Sequence, residues 1–225
     1  MKYVIFSDIH GNADALRKLL EKETQDSGTG FIFCGDVCGY YYEARECIDL
    51  LKSIQGLIAV RGNHDQYYID AFDDPEITEK LAQKYGSSYR EKNEDIREYL
   101  LSLPLVRIIE RDGRIMRIQH GLPADPLEGR LYPDTPLPEA EKGTVYIVGH
   151  THYQMYRDYS ESLWVNPGSL GQPRDGKGFS YCRLDTEIMN FQFCSVDVDT
   201  RRLVQKIRMN DPENKYLEVI LCRKK

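Results

Sequence analysis

Lys2-Tyr3-Val4-Ile5-Phe6-Ser7-Asp8-Ile9-His10-Gly11-Asn12 is the stretch that decides the fold. A short apolar run stopping abruptly at Ser7 and Asp8 is how a strand buried on both faces, as parallel strands are, meets its loop. It is too short to serve as a signal peptide. Just downstream, Asn12 suits a helix N-cap, and Ala15, Leu16, Leu19 and Leu20 recur at helical spacing out to about Thr24. The pattern then repeats. Phe31-Ile32-Phe33-Cys34 ends at Gly35-Asp36, a helix from Glu43 to Ser53 puts Ala44, Cys47, Ile48 and Leu51 on one face, and Leu57-Ile58-Ala59-Val60 ends at Arg61-Gly62-Asn63-His64-Asp65. Strand, loop and helix in this order predict right-handed βαβ units and a largely parallel sheet. The C-terminal strand ends of such a sheet are where it holds its ligand.

Beyond Asp65 the alternation breaks. Residues 66–103 are rich in charge and Tyr, read as helical with an interruption at Gly86-Ser87-Ser88, and are placed to cap the strand ends. From Pro104 the chain turns to β. Val106–Ile109 and Ile115–Gln119 flank Asp112-Gly113, a two-residue hairpin turn. Five prolines between Pro123 and Pro138 mark 121–143 as an extended loop. Val145–Val148, Met155–Tyr159, Leu163–Val165, Gly178–Leu184, Met189–Val196 and Leu203–Ile207 all read as strands.

The 225 residues carry 30 Lys plus Arg against 36 Asp plus Glu, a net charge of −6, which argues against an extended grip on nucleic acid. No apolar run reaches the ~18–20 residues that cross a bilayer, so no membrane partner and a cytoplasmic location are expected. In a reducing compartment the six cysteines, Cys34, Cys38, Cys47, Cys182, Cys194 and Cys222, are expected to remain small buried thiols. Cys34 and Cys38 flank Asp36 but lack the spacing of a zinc knuckle.

Histidine carries the functional signal. All five, His10, His64, His120, His150 and His152, lie directly after strand-like runs and share those ends with Asp8, Asp36 and Asn63. Any one of them alone reads as a hydrogen-bonded or solvated residue. Imidazole with carboxylate and amide oxygen suits Mn, Fe, Zn, Ni or Co rather than Cu(I). Even seven of these eight side chains exceed one tetrahedral ion and suit two divalent ions ~3.5–4 Å apart, the arrangement that clamps a phosphoryl displacement.

Asp8-x-His10-Gly11-Asn12, Gly35-Asp36, Gly62-Asn63-His64-Asp65, His120-Gly121 and Gly149-His150-Thr151-His152, in this order, resemble the calcineurin-like metallophosphoesterase superfamily. Asn166-Pro167-Gly168-Ser169 followed by Gln172-Pro173-Arg174-Asp175 is similar to its small prokaryotic phosphodiesterase-type members, so the resemblance runs from Asp8 to about Asp175. It implies a single α/β domain over 1–225, two packed mixed β-sheets flanked by helices (an αββα sandwich), with 66–103 as a helical cap insertion. It also implies that Asp8, His10 and His152 hold one metal, that Asn63, His120 and His150 hold the other, and that Asp36 bridges them. Among Mn, Fe, Zn and Ni, manganese is favoured. The resemblance further implies that His64 is the non-ligand histidine facing the scissile bond, with a hydroxide between the metals as the expected nucleophile.

The departures matter. The Ser/Thr phosphatase branch follows Gly-Asp with an Asp that supports the catalytic His and an Arg that binds phosphate; here those places hold Gly39 and Tyr40. Asp65 is a candidate to support His64. Arg174, and less strongly Arg61 and Lys177, are candidates to meet phosphate, while Asn12 either contacts substrate or caps its helix. The expected substrate is a small phosphorylated molecule. Nucleotides are preferred because Tyr40-Tyr41-Tyr42 and Tyr67-Tyr68 follow two metal motifs and could stack on a base. The rival reading is a non-catalytic metal-binding scaffold of the same fold, as the retromer subunit is. Exposed β edges would allow an oligomer.

Overall fold

The computed structural model describes residues 1–23, 28–159 and 161–221; Thr24 and Cys222 lie outside them. In chain order the elements are β1 (Lys2–Phe6), α1 (Ala13–Glu23), β2 (Thr29–Phe33), α2 (Ala44–Ser53), β3 (Ile58–Ala59), α3 (Asn63–Ala71), α4 (Pro75–Tyr85), a 3-10 turn (Ser87–Arg90) and α5 (Glu94–Ser102). Then come β4 (Val106–Arg111), β5 (Arg114–Gln119), β6 (Thr144–Ile147), β7 (Gln154–Tyr159), β8 (Ser162–Pro167), β9 (Phe179–Asp185), β10 (Asn190–Val196), α6 (Arg201–Asn210) and α7 (Lys215–Leu221).

The strands form two five-stranded mixed sheets, ordered β10-β9-β1-β2-β3 and β4-β5-β6-β8-β7. In the first, β1, β2 and β3 run parallel, with Ile5 opposite Ile32 and Phe33 opposite Ala59, while β9 pairs antiparallel with β1 and with β10. In the second, β5, β6 and β8 run parallel and β4 and β7 are antiparallel edges.

Side-chain alternation along β1 explains why its run is apolar throughout. Tyr3 and Ile5 point between the sheets, where they meet Ile32, Met116, Ile118, Ile147 and Val165. Val4 and Phe6 point outward against Leu16 and Leu19 of α1 and Ile48 and Leu51 of α2. Each such side chain, removed from water, contributes ~1.5–3 kcal/mol. On the outer face of the second sheet Trp164 stacks on Tyr146, centroids 4.1 Å apart and 8° from parallel. Leu131, with Leu122 and Leu137 of the proline-rich segment, covers them.

The hairpin forms at Asp112 and Gly113, whose φ values of 50° and 72° are the positive pair that a two-residue type I′ turn demands. The expectation of a strand over Leu203–Ile207 is corrected: these residues lie in α6. Leu203 and Ile207 are spaced one helical turn apart and are the buried pair, and five residues are too few to tell that period from alternation. The third strand narrows to Ile58–Ala59. Cys34, Cys38, Cys47 and Cys182 are buried free thiols and Cys194 is half-buried.

Candidate metal centre

The C-terminal ends of β1, β2, β3, β5 and β6 meet at one edge of the sandwich. The loop after β1 lies along the loop after β2, with Asp8, His10 and Gly11 donating N–H bonds to the carbonyls of Gly35, Asp36 and Val37. To aim their side chains into one space, Asp8, His10, Asp36, His150 and His152 all adopt left-handed backbone, with φ between 51° and 68°. For residues with a Cβ that conformation is strained, and it persists because the surrounding bonds leave no alternative.

Two side-chain groups result, Asp8 with His10 and His152, and Asp36 with His120 and His150. In the first, His152 Nε2 lies 3.1 Å from Asp8 Oδ1 and 3.1 Å from His10 Nε2. In the second, His120 Nε2 lies 3.2 Å from Asp36 Oδ2, and Asn63 Oδ1 lies 3.0 Å from His120 Nε2 and 2.9 Å from His150 Nδ1. Asp36 Oδ2 is also 3.8 Å from His10 Nε2, so one carboxylate oxygen faces both groups.

The ring orientations are set from behind. The Nδ1 atoms of His10, His120 and His152 sit 2.9, 2.7 and 2.7 Å from the carbonyls of Cys38, Cys34 and Gln172. Donating there leaves each neutral ring with a bare Nε2 lone pair pointing inward. Cys34 and Cys38 thus serve the centre through their carbonyls, not their thiols. Lone pairs facing each other at 3.1 Å repel unless a cation lies between them, and buried Asp8 Oδ1 has no hydrogen-bond partner among the described residues. This donor set fits divalent metal. His150 is turned the other way, its Nε2 accepting from Arg130 Nε at 2.9 Å.

Charge is unevenly spread. Burial pushes the Asp8 carboxyl up, but His152, His120 and His10 together outweigh it and hold Asp8 below the carboxylate range. Burial raises Asp36 to about 7 despite His120. His120 is raised to about 10 because Asp36 and Asp8 overcome its burial. Burial holds His10 and His64 well below the usual imidazole value, lowers His150 to about 2, and with Arg174 lowers His152.

Asp65 does not reach the His64 ring. Its buried carboxylate accepts four backbone bonds, from Asp36 and Gly62 at Oδ2 and from Val37 and Cys38 at Oδ1, clipping the loop after β2 to the start of α3. Gly62 must lack a side chain, since a Cβ there would fall 2.1 Å from Asp36 Oδ1. His64 donates its backbone N–H to Asp36 Oδ1 at 2.8 Å, and its Nδ1 lies 2.6 Å from the Tyr89 hydroxyl.

The chain belongs to the calcineurin-like phosphoesterase superfamily. Its family model matches residues 1–189. A Methanocaldococcus jannaschii protein, MJ0912, is 30% identical over 92% of this chain and 91% of its own length. The Escherichia coli phosphodiesterase YfcE is 25% identical over 84% of this chain and 90% of its own. The crystal structure of a metallophosphoesterase from Sphaerobacter thermophilus superposes with a TM-score of 0.79 at 25% identity, over 98% of both chains. This calcineurin-like phosphoesterase is therefore a metal-dependent hydrolase of phosphoesters. No helix among its described residues is long and apolar enough to cross a membrane.

A cleft of about 350 Å³ opens over the centre, lined by Asp36, Asn63, His64, His150 and His152 together with Tyr40, Lys84, Tyr85, Arg130, Tyr132, Arg174 and Tyr216. Arg174 reaches it, bonded to Gln172 Oε1 and the Tyr40 hydroxyl. Arg61 and Lys177 do not line it. Asn12 is buried and is not among the residues lining it; its Oδ1 accepts from Ala15 N, which is the cap the sequence allowed, and its amide donates to the Gly171 carbonyl. Of the Tyr runs, Tyr40 lines the cleft, whereas Tyr42 bonds Asp211 and the Tyr68 hydroxyl accepts from Asn93 N. Sequence reasoning missed Lys84, Tyr85, Tyr89, Arg130, Tyr132 and Tyr216. Only Tyr85 and Tyr89 carried a signal, since they bracket the break at Gly86-Ser87-Ser88.

Proposed function

We propose that this phosphoesterase hydrolyses small phosphodiesters or nucleotide phosphoanhydrides at a dinuclear centre, with Asp8, His10 and His152 holding one ion, Asn63, His120 and His150 the other, and Asp36 between them. What carries this reading is the single Asp36 oxygen within 3.2 Å of His120 Nε2 and 3.8 Å of His10 Nε2. Two divalent ions, manganese favoured over Fe, Zn or Ni, supply when bound the Lewis acidity that makes water nucleophilic near neutral pH and offsets phosphoryl charge.

The chain's own residues do the rest. The Cys34, Cys38 and Gln172 carbonyls hold three imidazoles in the ligating tautomer. His64, at the cleft wall and outside both ligand groups, offers its ring to the leaving oxygen. Lys84, Arg130 and Arg174 give the cleft a positive lining for phosphate, and Tyr40, Tyr85, Tyr132 and Tyr216 give it flat aromatic faces for a base. Residues 66–103, which contribute Lys84 and Tyr85, act as the cap. The phosphodiesterase name of the Escherichia coli relative supports the diester part of the reading.

The test is elemental analysis together with turnover of bis-(p-nitrophenyl) phosphate in Mn²⁺, then a panel of cyclic nucleotides, dinucleoside polyphosphates and phosphomonoesters. Two metals per chain and diester turnover are expected, with His64→Ala keeping both metals and losing ~10²–10⁴ in rate on diesters with alkyl leaving groups. Full metal with no hydrolysis anywhere in the panel overturns the proposal in favour of the scaffold.

A further inference from the structure

We infer that Tyr89 is the positioning residue of His64, its hydroxyl donating to Nδ1 so that the Nε2–H faces the cleft. This rests on the catalytic reading of His64 above. Tyr89 lies on the 3-10 turn inside the 66–103 segment, is 1% exposed, and places its hydroxyl 2.6 Å from His64 Nδ1.

The direction of that bond follows from counting protons. A neutral imidazole has one donor and one acceptor nitrogen, and a phenol has one proton. If Nδ1 donated, the buried Tyr89 proton would need another acceptor, and His64 is the hydroxyl's only hydrogen-bond partner among the described residues. A buried unpaired O–H is costly, so the phenol donates and the ring proton sits on Nε2. Burial pushes the Tyr89 hydroxyl well above the ordinary phenol value, so it keeps the proton it donates.

Gly39 shows that the pair is built into the fold. A Cβ at Gly39 would fall 2.6 Å from His64 Nδ1 and 2.9 Å from the Tyr89 hydroxyl, at a φ of +84°. Gly39 occupies the place where the Ser/Thr phosphatase branch carries the supporting Asp. With no Cβ at that glycine, the Tyr89 hydroxyl has room beside His64 Nδ1. The ring is further confined edge-on by Tyr85 and by His10, with centroids 4.6 and 5.0 Å away. The chemistry differs from a carboxylate support. A phenol fixes the tautomer but brings no negative charge to stabilise an imidazolium, so His64 offers a hydrogen bond to the leaving oxygen more readily than a whole proton. Aryl and phosphoanhydride leaving groups suit such a site better than alkoxides.

Tyr89→Phe in the metal-loaded full chain tests this. The variant is expected to keep both metals, to change KM less than about threefold, and to lower kcat roughly tenfold or more on diesters with alkyl leaving groups and under about threefold on p-nitrophenyl esters. In the zinc-loaded protein the ¹⁵N shifts of His64 should report the Nε2–H tautomer, and Tyr89→Phe should shift them toward Nδ1–H. A merely structural Tyr89 would cost the same with or without His64, whereas a positioning residue adds no further cost when Tyr89→Phe is placed in His64→Ala. Unchanged kcat and unchanged ¹⁵N shifts in Tyr89→Phe, alongside a crippled His64→Ala, overturn the positioning role and leave the catalytic reading standing. An active His64→Ala overturns the reading on which the role rests.

Discussion

Asp36 can face both ligand groups because Asp65 holds its loop in place, and Asp65→Asn measures that clip. The carboxylate is buried and accepts four backbone N–H bonds, two at each oxygen. An amide keeps one acceptor oxygen. Whichever way it turns, two donors then face an NH2 group and lose their acceptor. At ~1–3 kcal/mol for each orphaned buried donor, the loss is ~2–6 kcal/mol. A second effect opposes it. Burial raises the Asp65 carboxyl above the ordinary range despite the N–H groups around it, and the neutral amide escapes that desolvation. A net loss of ~2–4 kcal/mol is expected, roughly 5–15 °C in melting temperature for a chain of this size. Trp164 provides the assay, because it is the sole tryptophan and fully buried, so its fluorescence follows urea unfolding of the metal-free protein. Metal affinity should fall in the same variant. A stability loss below ~1 kcal/mol would refute the clip.

Asp36→Asn removes one charge from the point where the two groups meet, so bound metal measured by elemental analysis should drop below two ions per chain and diester turnover should fall with it. Gly62→Ala drives a methyl toward Asp36 Oδ1, 2.1 Å from the ideal Cβ position, and should weaken metal binding in a titration while leaving far-UV circular dichroism unchanged. Acid should destabilise the metal-free protein. His10, His64, His150 and His152 are held below the usual imidazole value of 6.5, so below that pH the unfolded chain takes protons that the fold refuses. Asp36 and Asp65, both raised by burial, take protons in the fold that the unfolded chain refuses, but the four imidazoles outnumber them. Stability should fall as pH drops below 6.5, and urea midpoints that stay flat between pH 5 and 6.5 would contradict this.

The first three strands and the candidate ligand positions were legible because they follow one rule: an apolar run buried on both faces stops where a polar side chain must reach the site. Asp8, Asp36, His120 and His150 stand within three residues of a strand's end, and Asn63 stands four after β3. The helix α6 was not legible, since Leu203, Val204 and Ile207 in so short a window suit either period. The cleft was hidden for a different reason. Lys84, Arg130 and Tyr216 meet only through tertiary packing, and nothing local marks a lysine at a helix end or a tyrosine near the C-terminus as facing a metal site. Tyr89 is 25 residues from His64, and the vacancy at Gly39 that it answers shows only when both are seen in space.

The left-handed backbone at His10, His150 and His152 sets function against robustness. Each of these residues costs the fold about 1–2 kcal/mol that Gly or Asn would largely recover. A mutant library screened only for survival at high temperature would therefore drift toward Gly and Asn at these three positions, and the survivors would be metal-poor. On the proposed assignment of these histidines, any campaign to harden this protein needs turnover scored in every round.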